Sequence, residues 1–203
     1  MKIICIGRNY VEHIRELNNT IPSSPVFFLK PDTALVIRNR PFYYPPFSTQ
    51  VHYEVELVLK ICKVGKNIQK KFAHTYYDEI GIGLDMTARD LQDAAKSKGL
   101  PWAVAKGFDQ SAPVSRFLPK ENFSDMKNIS FHLDLNGNTV QKGNSSLMLY
   151  DFEDIISHIS AYMTLRTGDY IFTGTPAGVG PVNVGDTLEA WIGDEKMLSC
   201  AIK

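Results

Sequence analysis

Cysteine is scarce in this 203-residue chain. Cys5, Cys62 and Cys200 are the three present, widely spaced and with no CxxC pair. An odd, scattered set excludes a disulfide framework, and the absence of a Cys/His cluster excludes a zinc site. Each thiol sits in an apolar, strand-like run, which predicts buried and inert cysteines in a reduced protein. Net charge is missing too, because 22 Lys plus Arg are matched by 22 Asp plus Glu. There is no basic excess of the kind that draws a chain to nucleic acid or to an anionic membrane surface. No stretch approaches the ~20 consecutive apolar residues of a membrane span. The N-terminal run Met1–Gly7 is far shorter than a secretory core, so the expected location is cytoplasmic. Internal repeats, low-complexity tracts and composition breaks are also lacking, which predicts a single domain over residues 1–203.

What is present is an ordinary globular composition, 44% hydrophobic and 22% charged, in a chain long enough to bury a core without staples. Zero net charge gives little repulsion between copies and fits self-association. Val51 to Val64 (VHYEVELVLKICKV) alternates with a period of two, the mark of a strand. Further strands are expected at Lys2–Gly7, Val26–Leu29, Glu79–Leu84, Ile129–Leu135, Gly168–Thr173, Thr187–Ile192 and Lys196–Ile202, with Asn136-Gly137 as a hairpin turn. Helices are expected over Asn9–Leu17, stopped by Asn18, Asn19 and Pro22, over Asn67–Thr75, after Thr87, and over Asp151–Leu165. Thr87 reads as the cap of its helix with Asp90 three residues on, and Gly99 as its C′ residue. Strands outnumber helices and do not alternate with them, which predicts an α+β fold on an antiparallel or mixed sheet.

Several side chains carry chemistry. Glu54 and Glu56 are two apart on a strand and share a face, on which Val58 follows. Such a pair is either a polar outer face or a site. Asp85 stands between a strand and a helix, where it either caps the helix or adds a third oxygen ligand for a hard cation. Arg89 and Gln92 share a helical face and suit a carboxylate or carbonyl, unless that face is merely solvated. Lys106 lies in the apolar run WAVAKGF, where it snorkels to solvent or stabilises nearby negative charge. His13 and Glu16, three apart on a helix, form a solvated pair or an imidazole base oriented by a carboxylate. Thr173 to Pro181 (TGTPAGVGP) follows a strand and can turn N–H groups and hydroxyls toward an anion. It lacks the Gly-Lys-Ser/Thr ending of a P-loop.

Taken in order, GRNYxxHxxE (Gly7–Glu16), FLKP (Phe28–Pro31), HxExEL (His52–Leu57), LDMTARDLQ (Leu84–Gln92), KGLPWxxAKGFD (Lys98–Asp109) and TGTPxGVGP (Thr173–Pro181) resemble the fumarylacetoacetate hydrolase family, in its short single-domain branch. The resemblance implies a mixed β-roll with a few flanking helices, a homodimer, and Mg²⁺ or Mn²⁺ held by Glu54, Glu56 and Asp85. It makes Lys106 a stabiliser of enolate charge. It makes His13 and Glu16 a water-activating dyad on a segment that closes over substrate, and Arg89, Gln92 and Thr175 the groups that hold a small 2-oxo or diketo acid. The expected reaction is metal-dependent hydrolysis of a C–C bond in an acylpyruvate- or fumarylpyruvate-type β-diketo acid. The alternatives are oxaloacetate decarboxylation or keto–enol tautomerisation, and a non-catalytic binding protein on the same fold. The proline- and aromatic-rich stretch 38–49 matches no motif, and any effect it has is expected on substrate choice.

Overall fold

The computed structural model describes residues 1–17 and 20–203. The chain begins with β1 (Ile3–Gly7), α1 (Val11–Glu16), β2 (Val26–Lys30), β3 (Leu35–Val36), β4 (Val51–Tyr53) and β5 (Val55–Ile61). It continues through α2 (Lys70–Ala73), β6 (Tyr77–Leu84), β7 (Thr87–Ala88), α3 (Arg89–Ser97), α4 (Ala103–Lys106), β8 (Ala112–Pro113) and β9 (Leu118–Pro119). The last elements are β10 (Ser130–Leu135), β11 (Asn138–Asn144), α5 (Phe152–Tyr162), β12 (Tyr170–Phe172), β13 (Gly180–Pro181), β14 (Thr187–Ile192) and β15 (Glu195–Ala201).

A six-stranded sheet runs β2-β1-β12-β5-β6-β9 and a four-stranded sheet β11-β10-β14-β15. Only the β1–β12 pairing of the larger sheet is parallel, so the sheet is mixed and the fold is α+β, as the element pattern predicts. The smaller sheet packs on β5 and β6, and one apolar cluster runs between them from Ile4 to Ile202. α5 adds Phe152, Ile155, Ile156 and Ile159 to it, with Asp151 capping the helix through the Asp154 N–H. Asn136 and Gly137 both take positive φ (51° and 80°), the type I′ turn that joins β10 to β11.

The structure changes several local expectations. The strand expected from Val51 to Val64 is interrupted at Glu54: β4 pairs with β7 and β13, whereas β5 pairs with β6 and β12. The chain changes sheets at that residue. Thr87 caps no helix. It lies in β7, and α3 starts after Ala88 without a side-chain cap. Asp90 instead accepts hydrogen bonds from the Ser48 and Thr49 hydroxyls and the Thr49 N–H, tying the preceding loop down. Gly99 does sit at C′ of α3, with φ 64° and N–H groups of Gly99 and Leu100 closing on Lys96 and Ala95. Cys5 and Cys200 are buried, but Cys62 is only half-buried. The helix expected over Asn67–Thr75 shrinks to Lys70–Ala73. Asn18 and Asn19, expected to stop α1, lie outside the described residues.

Residues 38–49 form a strap rather than a pocket wall. Phe42 is fully buried and exchanges backbone hydrogen bonds with Ala201 and Lys203 (2.9 Å each), and the Tyr44 hydroxyl accepts from the Val51 N–H.

Candidate active site

The sequence brings three carboxylates together by ending one strand and starting the next at a single place. Glu54 sits at the β4–β5 break and Asp85 follows the end of β6. The Asp85 N–H donates to the Glu54 carbonyl at 2.8 Å, closing the two strand ends on each other. Glu56, two residues along β5, shares the Val58 face, which is buried under Ile3, Cys5 and Phe172. The pair is therefore not an outer polar face. Glu54 is 5% exposed, Glu56 1% and Asp85 1%. One oxygen from each lies within 4.8 Å of the others.

Cations surround this cluster. The Lys106 ammonium, at the end of α4, donates to Glu54 Oε2 (2.8 Å), Asp85 Oδ2 (2.7 Å) and Thr87 Oγ1 (2.6 Å). It is 3% exposed, so it does not snorkel. Burial works against its charge, but Asp85 and Glu54 outweigh burial and raise its pKa. Arg89 donates through Nη2 to Glu54 Oε1 and through Nη1 to Gln92 Oε1. Burial opposes ionisation of Glu54 too, yet Lys106 and Arg89 hold its carboxyl well below the usual carboxylate range. Glu56 behaves oppositely: burial and the neighbouring Asp85 charge push it well above its ordinary value, and the Gly174 N–H at 2.7 Å from Oε2 offsets only part of that.

The FLKP motif alone assigns Lys30 no role. Lys30 is fully buried at the end of β2 and its ammonium donates to the carbonyls of Met86, Lys106 and Ser111 and to the Ser111 hydroxyl. It also lies 2.8 Å from Asp85 Oδ1, at an angle too poor for a hydrogen bond, so that oxygen has no hydrogen-bond partner. A lysine inside an apolar strand was the available signal. Gln141 had none: its Oε1 accepts from the Val55 N–H and its Nε2 donates to Thr175 Oγ1 and the Pro176 carbonyl.

His13 Nδ1 lies 3.1 Å from Glu16 Oε2, and Glu16 Oε1 accepts from the Gly178 N–H at 2.9 Å. The glycine-rich loop thus does turn N–H groups toward anions, and the anions are the protein's own Glu56 and Glu16. Gly174 takes φ 102° to do so. Asn9 anchors the same loop from the other side, donating to the Thr173 carbonyl at 2.8 Å.

These groups line a small cavity, walled by His13, Glu54, Glu56, Asp85, Arg89, Gln92, Lys106 and Thr175, together with Arg8, Leu17, Phe28, Lys96 and Trp102. Every site residue expected from sequence except Glu16 borders it directly; none of residues 38–49 does.

The donor set fits a hard divalent cation. It is all oxygen and buried, with one carboxylate oxygen left without a hydrogen bond and another carboxyl whose negative charge is uncompensated.

A mixed β-rich fold that converges three buried carboxylates beside a buried lysine defines an acidic, candidate metal site. The chain belongs to the fumarylacetoacetate hydrolase family, whose C-terminal domain model matches residues 2–202. It is 44% identical over 192 residues to a mitochondrial oxaloacetate decarboxylase of Dictyostelium discoideum, covering 94% of this chain and 88% of that one. It is also 44% identical over 190 residues to the human mitochondrial oxaloacetate tautomerase FAHD1, covering 94% and 86%. A fumarylpyruvate hydrolase of Pseudomonas aeruginosa, solved with Mn²⁺ and pyruvate, superposes with a TM-score of 0.94 at 33% identity, covering 100% of this chain and 89% of that one.

Proposed function

We propose that this protein acts on oxaloacetate, interconverting its keto and enol forms or releasing CO₂, with Mg²⁺ or Mn²⁺ held by Glu54, Glu56 and Asp85. This replaces acylpyruvate hydrolysis as the leading reading, since the curated relatives are named for oxaloacetate chemistry. The observation that carries it is the charge count. Three buried carboxylates share the site with three buried cations, Lys30, Arg89 and Lys106, which pair with Glu54 and Asp85 and leave Glu56 to the Gly174 N–H. A divalent cation then leaves an excess that a dianion such as oxaloacetate neutralises.

When bound, the cation supplies Lewis-acid stabilisation of charge developing on the 2-oxo oxygen. Lys106, fixed by Glu54, Asp85 and Thr87, places a permanent positive charge beside that oxygen at no cost in reorganisation. Arg89, Gln92 and Thr175 hold the 2-oxo carboxylate. His13, oriented through Nδ1 by Glu16, presents its other nitrogen to carry a proton to or from C3. Decarboxylation breaks the C3–C4 bond, releases CO₂ and delivers the electron pair to the same oxygen, and the resulting enolate takes its C3 proton from solvent after that step.

Hydrolysis of a β-diketo acid remains the second reading. It is favoured by the oriented His13–Glu16 pair, which suits activation of a water, and by the fold shared with the fumarylpyruvate hydrolase. Residues 1–203 would act as one catalytic domain within a homodimer. The sequence expectation of a cytoplasmic enzyme stands against relatives described as mitochondrial.

The deciding experiment presents oxaloacetate and acetylpyruvate to purified protein, with and without Mg²⁺, following enol absorbance and products. Metal-dependent consumption or tautomerisation of oxaloacetate is expected. His13→Ala should lower tautomerisation by about 10²-fold or more and leave decarboxylation largely intact. Acetate and pyruvate from acetylpyruvate, with oxaloacetate untouched, would reinstate the hydrolase reading.

A further inference from the structure

Beyond the groups already given roles, the cavity is lined by two further cations, Lys96 and Arg8. α3 projects Arg89, Gln92 and Lys96 along one side, at i, i+3 and i+7, and all three border the cavity. Arg89 and Gln92 serve the carboxylate cluster. Lys96 lies further along and touches none of the three acids. Its ammonium stands 5.8 Å from the centroid of the Trp102 indole, itself a cavity wall. Its one ion-pair partner among the described residues is Asp93, at 3.9 Å, the loose limit of such a contact, and Asp93 is largely exposed. Burial and the Arg89 guanidinium lower the Lys96 pKa, so its surroundings undercompensate its charge.

Arg8 borders the same cavity. Its φ of 60° is unusual for a residue other than glycine, a strain of the kind that functional sites retain. Gly7 before it packs on the same indole: a Cβ there would meet Trp102 Cζ3 at 3.8 Å. Among the described residues Arg8 makes no ion pair. Two cations and an aromatic ring that line the cavity of the acids make a receptor for an anionic group a few bonds from the 2-oxo carboxylate.

We propose that Lys96, with Arg8 lining the same cavity, binds the distal carboxylate of the substrate and selects a 2-oxo dicarboxylate over a 2-oxo monocarboxylate. The proposal rests on the oxo-acid reading above and adds to it the residue that sets charge selectivity. Lys96 is a specificity residue and takes no part in proton transfer.

The test compares oxaloacetate with 2-oxobutanoate, which has the same four-carbon chain with a methyl group in place of the distal carboxylate. The variants are Lys96→Met, which keeps the stem over Trp102 and removes the charge, and Lys96→Arg, which restores charge. For Lys96→Met the KM for oxaloacetate should rise about tenfold with kcat within twofold of the parent, as loss of one charge-assisted contact predicts. The inhibition constant of 2-oxobutanoate should move less than twofold, and Lys96→Arg should recover most of the oxaloacetate KM. Equal changes for the two ligands, or none for either, would overturn the proposal. If the parent protein leaves oxaloacetate unchanged, the functional reading fails separately. The distal site is then judged by titration calorimetry of Mg²⁺-loaded protein with the same two ligands. A preference for the dianion that Lys96→Met abolishes supports the site, and equal affinities in the parent protein refute it.

Discussion

The six-stranded and four-stranded sheets treat charge in opposite ways. In the smaller sheet β14 alternates partly exposed and buried residues along its length, with Leu188, Ala190 and Ile192 in the core and Thr187, Glu189 and Trp191 outward. Its ion pairs, such as Lys196–Glu189 at 2.8 Å, lie on the solvent side. In the larger sheet β5 is apolar on one face, and its other face carries Glu56 and Val58 into a buried layer. Lys30 at the end of β2 is buried as well. A sheet face can hold such charges only where each carboxylate meets a cation or N–H and each ammonium several oxygens, because an isolated buried ion costs several kcal/mol. The larger sheet gives up the ordinary inside/outside division to hold a reactive charge cluster; the smaller one keeps it and supplies stability.

Four substitutions sharpen that contrast. The largest effect is expected at Glu56→Gln, which keeps shape and removes one carboxylate: metal-dependent turnover should fall by at least about 10³-fold while the thermal midpoint stays close to the parent's. Turnover assays with added Mg²⁺ or chelator, beside a calorimetric melt, measure both; a variant retaining a tenth of the activity would contradict the ligand assignment. Next come Lys30→Met and Leu133→Ala, one buried position from each sheet. Lys30→Met strips Asp85 and three carbonyls of their cation and should cost about 3–5 kcal/mol by urea unfolding. Leu133→Ala opens a cavity and should cost about 2–5 kcal/mol. The two separate in function: turnover per folded molecule should collapse in the first and persist in the second. Smallest is Lys196→Ala, on the half-exposed Glu189 pair, where stability should change by about 0.5 kcal/mol or less and activity not at all. A measurable loss of turnover there would show that the smaller sheet couples to the site.

Much of the site was legible because its residues fall in short motifs whose spacing has local meaning. Glu54 and Glu56 share a face by strand periodicity, His13 and Glu16 by helical spacing, and the structure places all four at or beside the cavity. Lys30 was harder to read. Its role depends on Met86, Lys106 and Ser111, which approach it from elements 56 to 81 residues away. Thr87 was misread as a cap because a threonine before a helix has that local signature; in the fold its hydroxyl accepts from Lys106 instead. Lys96 carried no signal beyond its charge, and Arg8 stands in GRNYxxHxxE with no role of its own there.

The sequence by itself determined the strand-rich α+β class, the principal turn, the end of α3 at Gly99, the family and the candidate acids, because alternation, capping glycines and motif spacing are properties of neighbouring residues. The tertiary structure alone decided that the acids are buried and not solvated, that Lys30, Arg89 and Lys106 pair with Glu54 and Asp85, and that Lys96 and Arg8 border the same cavity. Burial and ion pairing depend on distances between segments far apart in the chain, and those distances exist only once the sheets have packed.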